Sequence, residues 1–409
     1  MARVVVVGAG AAGIAAACEL RRLKCEAVVL EVRDRVGGRA WTESHSLGVP
    51  IDHGGAWLHS AERHPLAKYA QEHGFHVIER SAQWRSRVGA RELSNDERQR
   101  WYEALHRYED LLASEARQGR DVSAASVLPN DEYRPQFDAV MGWLMGVDTE
   151  FVSTLDYDRY DNSDLNYPIR EGLGAVVAHA SMGLDIRLNQ RVTRVDWSGT
   201  RVRIHTSGGA LEADAVIITI PTTVLAMTPI DFAPALPAVY SEAFERVPLG
   251  VDNKVFFELE PGALPPGDML HFIGSDRTSR TGSYALRPAG HELLLAYFGG
   301  SFARELELNH ELESFAREEL AGIFGNELIR KIRRATHTSW AGDPFARGSY
   351  SAARPGYAHL REQLSVPIEG KIFFAGEACS IRDFGTIHGA WLSGEGAARA
   401  IARETASAG

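Results

Sequence analysis

A run of four valines, Val4 to Val7, leads directly into Gly8-Ala-Gly10-Ala-Ala-Gly13, and this junction constrains the chain more than any other stretch. Unbroken β-branched residues read as a strand covered on both faces, as parallel strands are in α/β folds. In the turn that follows, the first glycine permits the tight bend, the second lets the backbone approach a pyrophosphate, and the third lets the next helix pack closely on the strand. That helix is predicted from Ala11 to Leu23, with Leu20 and Leu23 inward and Arg21, Arg22 and Lys24 outward. Its first amides are free to face phosphate groups. A second strand, Ala27 to Leu30, ends at Glu31, where a carboxylate in such a unit accepts hydrogen bonds from a ribose. Glycines in this pattern are weak evidence alone. Strand, glycines, helix, strand and acid in this order within about thirty residues predict a dinucleotide-binding β-α-β unit.

The next residues, Arg33-Asp34-Arg35-Val36-Gly37-Gly38-Arg39, separate a flavin from a nicotinamide. The glycine pair permits a backbone approach that side chains would block, and Arg39 can hold a phosphate through a bidentate guanidinium. Near the other end, the apolar strand Lys371 to Phe374 runs into Ala375-Gly376-Glu377-Ala378. Gly385-Thr386-Ile387-His388-Gly389-Ala390 and a small-residue helix, Trp391 to Ile401, follow. Taken alone, this could be an ordinary strand-turn-helix, though its free amides beside small side chains suit the edge of a flavin ring.

The glycine turn, Glu31 and the DRVGGR segment together resemble the opening of the flavin amine oxidase superfamily, which includes monoamine, polyamine and L-amino-acid oxidases and related desaturases. The C-terminal stretch resembles the family's second FAD motif, in which the acid matching Glu377 contacts the ribityl chain and Thr386 and Ile387 flank the isoalloxazine. Asp52-His53-Gly54-Gly55-Ala56-Trp57-Leu58-His59 is similar to the family segment that passes the flavin's re face. An equivalent of the segment around Val192 gives backbone contacts to the adenine. The resemblance thus implies FAD contacts from Gly8, Gly10, Ala12, Gly13, Glu31, Arg33, Gly38, Arg39, Gly54, Gly55, Ala56, Trp57, Val192, Pro221, Trp340, Gly376, Glu377, Gly385, Thr386 and Ile387.

For the chemistry, Lys254 lies in Val-Asp-Asn-Lys-Val-Phe-Phe-Glu-Leu, a strand otherwise suited to burial. From spacing alone, it either snorkels to water or enters a polar cavity. The resemblance gives it the place of a lysine that holds a water against flavin N5. Trp340 to Tyr350 resembles the stretch from a tryptophan beside the flavin to an aromatic beside the substrate, and aromatic faces attract cationic amines. Where monoamine oxidases carry a flavin-bonding cysteine, this chain has Ser349, so the implied FAD is non-covalent. Thr386 stands at the second position of their aromatic pair, leaving half the cage open to larger amines. His59 matches a histidine found near the amine in some polyamine oxidases. It could equally be a surface or core histidine. The run Asp156, Asp158, Asp161 and Asp164 could attract a second ammonium, or could be a solvated loop. Arg85 and Arg87 do not sit in the arginine motif with which L-amino-acid oxidases hold a carboxylate, so amines lacking one lead.

The implied reaction passes a hydride from the carbon beside a neutral amine nitrogen to flavin N5, with imine hydrolysis and reoxidation by O2 to H2O2. A desaturase or dehydrogenase of the same superfamily, an L-amino-acid oxidase and a non-catalytic flavin sensor are the alternatives.

A chain of 409 residues suits about two domains. With FAD motifs at both ends, the nucleotide domain must be discontinuous. We expect an α/β fold with a Rossmann-like FAD-binding domain of residues 1–60, 165–228 and 338–409, and an α+β substrate-binding domain of residues 61–164 and 229–337. Asp185 to Val195 and Arg201 to Thr206 read as a strand pair, Asp214 to Ile220 as a buried strand closed by Pro221, and Glu97 to Gln118 as an amphipathic helix. Asn253 to Glu258 and Glu292 to Tyr297 read as strands. A formal charge of −10 argues against a general nucleic-acid binder. Cys18, Cys25 and Cys379 form neither a disulfide set nor a metal site, which fits a reducing cytoplasm. No apolar run approaches the ~18 residues of a membrane span. Oligomeric state leaves no mark on the sequence.

Overall fold

The valine run forms the central strand of a five-stranded sheet because both of its faces find a cover. The computed structural model describes residues 2–80, 87–163, 165–265 and 269–407. Arg3–Val7 lies between Ala215–Ile218 and Glu26–Leu30, with Ile372–Phe374 and Ile186–Arg187 at the edges, all parallel. Val4 and Val6 point with Val29 and Ile217 into a core shared with the helices Ala11–Arg22 and Ile387–Ser407. Val5 and Val7 point the other way, with Val28 and Val216, against Val195, Val202 and Phe244. Full burial of each such side chain contributes about 1.5–3 kcal/mol, so coverage on both sides fixes this strand's central place.

The first glycine turn works by contact. Gly8 has a φ of +107°, and a Cβ on Gly13 would stand 1.9 Å from the Gly8 carbonyl oxygen. Only the missing side chain lets the helix start this close to the strand.

The strand pair expected in the segment 185–206 forms only from Val192 onward. Ile186–Arg187 joins the edge of the parallel sheet beside Glu26–Leu30, whereas Val192–Asp196 pairs antiparallel with Val202–Thr206 in a separate four-stranded sheet. Glu31 N donates to Arg187 O and Gln190 N to Glu31 O, so the chain changes sheets beside the glycine turn.

A seven-stranded sheet runs in the order Ile332–His337, Asp252–Leu259, Leu293–Gly299, Ser283–Leu286, Leu270–Ile273, Arg87–Val88, Arg91–Glu92. One face packs on Gly300–Leu308 and Leu312–Phe324 through Phe257, Phe298, Phe302 and Leu320. A helical layer meets it through Arg134–Met145, where a Cβ on Gly142 would stand 3.3 Å from Gly299 O. Asn95–Arg117 starts at a capping box in which Ser94 and Glu97 bond reciprocally, and it buries Trp101, Tyr108 and Leu112 against Phe137 and Met141 of Arg134–Met145. The whole is a mixed α/β fold with a Rossmann-like unit. Among the described residues, no helix is long and apolar enough to cross a membrane.

Candidate active site

One continuous cavity of about 970 Å³ runs from the glycine turn to the helical layer. At its nucleotide end, the helix Ala11–Arg22 begins at Gly10 with no side-chain cap and no acid in its first turn, so its leading amides remain available for an anion. Glu31 accepts from Ala9 N at 2.7 Å and Arg33 N at 2.8 Å, which pins its carboxylate across the turn. Arg33 forms two bonds to Asp343 and lies over the Phe345 ring. Val192 and Pro221 line the same end. Arg347 also lines the cavity there, and its Nε is a buried donor without a hydrogen-bond partner. Uncapped amides, an orphan guanidinium donor and a glycine-floored trough fit a bound dinucleotide pyrophosphate.

Farther along, Arg39 Nη1 donates to Ser349 O at 2.5 Å and to Glu377 Oε1 at 2.9 Å. Glu377 Oε2 accepts from Ser351 Oγ and Gly385 N. Burial opposes the charge of Glu377, but Arg39, Ser351, Arg361 and Gly385 together hold it below the usual carboxylate range. Arg39 and Glu377 both line the cavity, yet much of their hydrogen-bonding capacity is spent on each other and on the 349–351 segment. Sequence reading assigned those groups to phosphate and ribityl oxygens and did not see the ion pair between them, which joins residues 338 positions apart.

Near the start of the strand Asp252–Leu259, Lys254 Nζ donates to Asp52 O at 2.9 Å and Gly54 O at 2.5 Å. Burial draws its ammonium down to about 8, against the opposing charges of Asp52 and Asp252. Trp340 donates through Nε1 to His53 O, and its backbone N–H reaches Asn253 Oδ1. Tyr350 donates to Trp143 O and lies 3.2 Å from the Tyr297 hydroxyl. Thr386 Oγ1 donates to Asp383 O and accepts from Gly389 N, capping the last helix. His59 Nδ1 lies 2.7 Å from Asn166 Oδ1, and loss of solvent lowers its imidazole to about 4, so it is neutral at ordinary pH.

The cavity therefore brings together Lys254, Tyr350, Trp340, Thr386 and His59 with all the residues marked for the cofactor except Gly13, which packs on Gly8 behind the wall. Gly54, Gly55, Ala56, Trp57, Gly376 and Ile387 lie in that lining with the others.

The acid run does not gather at the cavity, and two of the residues considered fall outside the described ones. Asp156 is no ammonium trap: it is 1% exposed and forms a two-pronged pair with Arg361, itself 1% exposed. Asp161 pairs at the surface with Arg63, and neither it nor Asp158 lines the cavity. Arg87 is also outside the lining, where it bonds Gly89 O and Ala90 O. Asp164 and Arg85 lie outside the described residues.

Sequence reasoning missed Asp252, Tyr297 and Trp143, all in the lining. Asp252 left one signal, an acid two residues before Lys254 and so on the same strand face. Tyr297 is opposite Lys254 only through strand register. No cysteine is in the cavity lining, which leaves no thiol to bond a cofactor there.

The pattern of the flavin containing amine oxidoreductases matches residues 76–402, and that of the NAD(P)-binding Rossmann-like domain matches residues 6–78. Polyamine oxidase 4 of Oryza sativa subsp. japonica is 29% identical over 437 aligned residues, covering 97% of this chain and 87% of that protein. Polyamine oxidase 3 of the same organism is 30% identical over 429, covering 95% and 87%. The structure of cyclohexylamine oxidase from Brevibacterium oxydans IH-35A superposes with a TM-score of 0.83 at 22% identity, covering 99% of both chains, and shares the fold. Matched along most of its length by the first of these patterns, the chain belongs to the family of flavin-containing amine oxidoreductases.

Proposed function

We propose that this flavin-dependent amine oxidase converts a small amine lacking a carboxylate into an imine, with O2 as the final acceptor and H2O2 as the by-product. The observation that carries the reading is the single cavity in which a nucleotide trough continues into a chamber walled by Lys254, Trp340, Tyr350 and Thr386. The non-covalently held FAD supplies the acceptor for the hydride lost from the carbon beside the amine nitrogen.

The chain's own residues bind, orient and exclude water. Trp340 and Tyr350 present aromatic surfaces that attract an ammonium as it enters and guide the neutral amine inward. Thr386, small and already bonded to its own helix, leaves the opposite side open to a substituted nitrogen. Lys254 holds a proton near neutral pH on the carbonyls of Asp52 and Gly54, where its charge stabilises negative charge developing on oxygen. It also places a donor where water can be oriented toward the imine. Positioning in a partly apolar chamber supplies most of the rate, so no acid-base triad is required. Glu31 and Arg33 with the Gly8–Gly13 turn hold the nucleotide half, and residues 1–60, 165–228 and 338–409 act as the cofactor-binding unit against a substrate-binding remainder.

The polyamine oxidase relatives support amines over amino acids. The test is aerobic incubation of the holoprotein with benzylamine, cyclohexylamine, putrescine, spermidine and L-leucine, following peroxide and the carbonyl product together. Equal yields of both from at least one amine, and none from leucine, are expected. Turnover of leucine alone, or of no compound, contradicts the proposal.

A further inference from the structure

Asp252 has no part in the chemistry set out above, yet it is a buried acid on the cavity wall. It is 3% exposed, at the start of the strand that carries Lys254. Its Oδ2 accepts from Ser349 Oγ at 3.0 Å. Burial pushes the carboxyl well above its usual range, opposed by the hydroxyls of Tyr350, Ser349 and Tyr297 and by the Lys254 charge. The seat is shaped for it. A Cβ on Gly299 would stand 2.5 Å from Oδ1, and one on Gly146 would stand 2.7 Å from Oδ2 and 3.3 Å from Tyr350 Cε2. Two missing side chains thus make room for the carboxyl and the Tyr350 ring at once. Backbone at Gly299 and Gly146 crowds the two oxygens, and Oδ1 has no hydrogen-bond partner.

We propose that Asp252 is a positioning residue for amine oxidation, acting through Ser349, Tyr297 and Tyr350 to fix the aromatic wall against which the amine is held. Tyr350 reaches in two directions. Its hydroxyl donates to Trp143 O in the helix Arg134–Met145, while its ring lies beside the Gly385 turn, where a Cβ would be 3.6 Å from Tyr350 Cβ. Buried hydroxyls and carboxyls are costly when unpaired, so such a cluster orders or loosens as a unit. Without the Asp252 carboxyl, Ser349 Oγ loses its acceptor and the Tyr350 ring, seated with that carboxyl over Gly146, loses a neighbour, so the ring and the Tyr297 hydroxyl paired with it can settle in more than one place.

The inference rests on the amine-oxidising role proposed above, and its test separates the two. In the FAD-loaded protein, Asp252→Asn and Tyr350→Phe are made singly and together. Anaerobic flavin reduction gives a limiting rate and an apparent Kd for an amine, and the flavin absorption shift gives the affinity for benzyltrimethylammonium, which has no lone pair and is not oxidised. Asp252→Asn is expected to change amine affinity or limiting rate by about 3–30-fold in the parent and less than about 2-fold in the Tyr350→Phe background. Effects that multiply independently, or a single variant indistinguishable from the parent, overturn the inference. If Asp252→Asn does not hold flavin, Ser349→Ala takes its place in the same cycle, since it removes the Oδ2 donor and leaves the carboxyl. A parent protein that no amine reduces overturns the proposed function, and the quaternary ammonium cycle then still decides the role of Asp252.

Discussion

Lys254 shows how one residue's environment sets its chemistry. It is 8% exposed, and burial brings its proton affinity to about 8, so it changes charge close to working pH. Lys254→Met keeps the apolar stem and removes the charge and donors. FAD should stay bound while turnover falls by roughly 10–10³-fold, the scale for one positioned electrostatic or proton-transfer group. If the charge serves the oxygen reaction, reoxidation of the reduced protein should slow as pH rises through about 8 and the ammonium is lost. The methionine variant should be slow and flat across that range, and a parallel pH dependence in both would remove the assignment. Stability has the opposite sign. The folded lysine releases its proton at lower pH than the unfolded one, so stability should increase from about pH 8 toward the ordinary lysine range, where the unfolded chain binds more protons. Denaturant melts of parent and Lys254→Met across that window measure the difference.

Elements meet at two places where a small change should matter. Gly13→Ala puts a methyl 1.9 Å from Gly8 O, so helix and strand must separate at the pyrophosphate trough. A large loss of FAD retention after dialysis, with a lowered Tm, is expected, and unchanged flavin occupancy would refute the close-packing argument. The Asp156–Arg361 pair joins the helix Thr154–Arg159 to Leu360–Leu364, and through Ser351 Oγ it reaches Glu377. Arg361→Met alone leaves a buried carboxylate unpaired and should cost about 3–5 kcal/mol in denaturant unfolding. Asp156→Leu added to it should recover much of that loss, whereas the exposed Arg203–Glu212 pair should show no measurable effect on removal. The first β-α-β unit was legible because its logic is local: glycines, helix and Glu31 follow one another and constrain each other directly. Asp156 was misread because an acid in a charged run looks solvated, and only a partner 205 residues away makes it internal. In the 185–206 stretch the pairing of Val192–Asp196 with Val202–Thr206 was legible, whereas the sheet joined by Ile186–Arg187 was not, since pattern shows strand character but not which sheet supplies the partner.

Across the whole molecule, the cavity draws its walls from both ends of the chain and from the strands and helices between them. Motifs at the ends were readable from sequence. The packing that turns Ser349, Asp252 and Tyr297 toward one another was not, because it depends on strand register and on glycines that matter only through what they sit beside. The absence of cysteine from the cavity lining predicts a yellow protein whose flavin is released into the supernatant by acid precipitation. Flavin remaining in the pellet would show a bond that the lining does not provide. The central claim is that one chamber both accepts electrons from an amine and delivers them to oxygen. Rapid mixing of the holoprotein with amine in the absence of oxygen, followed by mixing with oxygenated buffer, tests it most directly. The account predicts loss of the visible flavin absorption in the first step, then full recovery with one H2O2 formed per flavin. Flavin that every amine leaves oxidised, or reduced flavin that oxygen fails to restore, would contradict it.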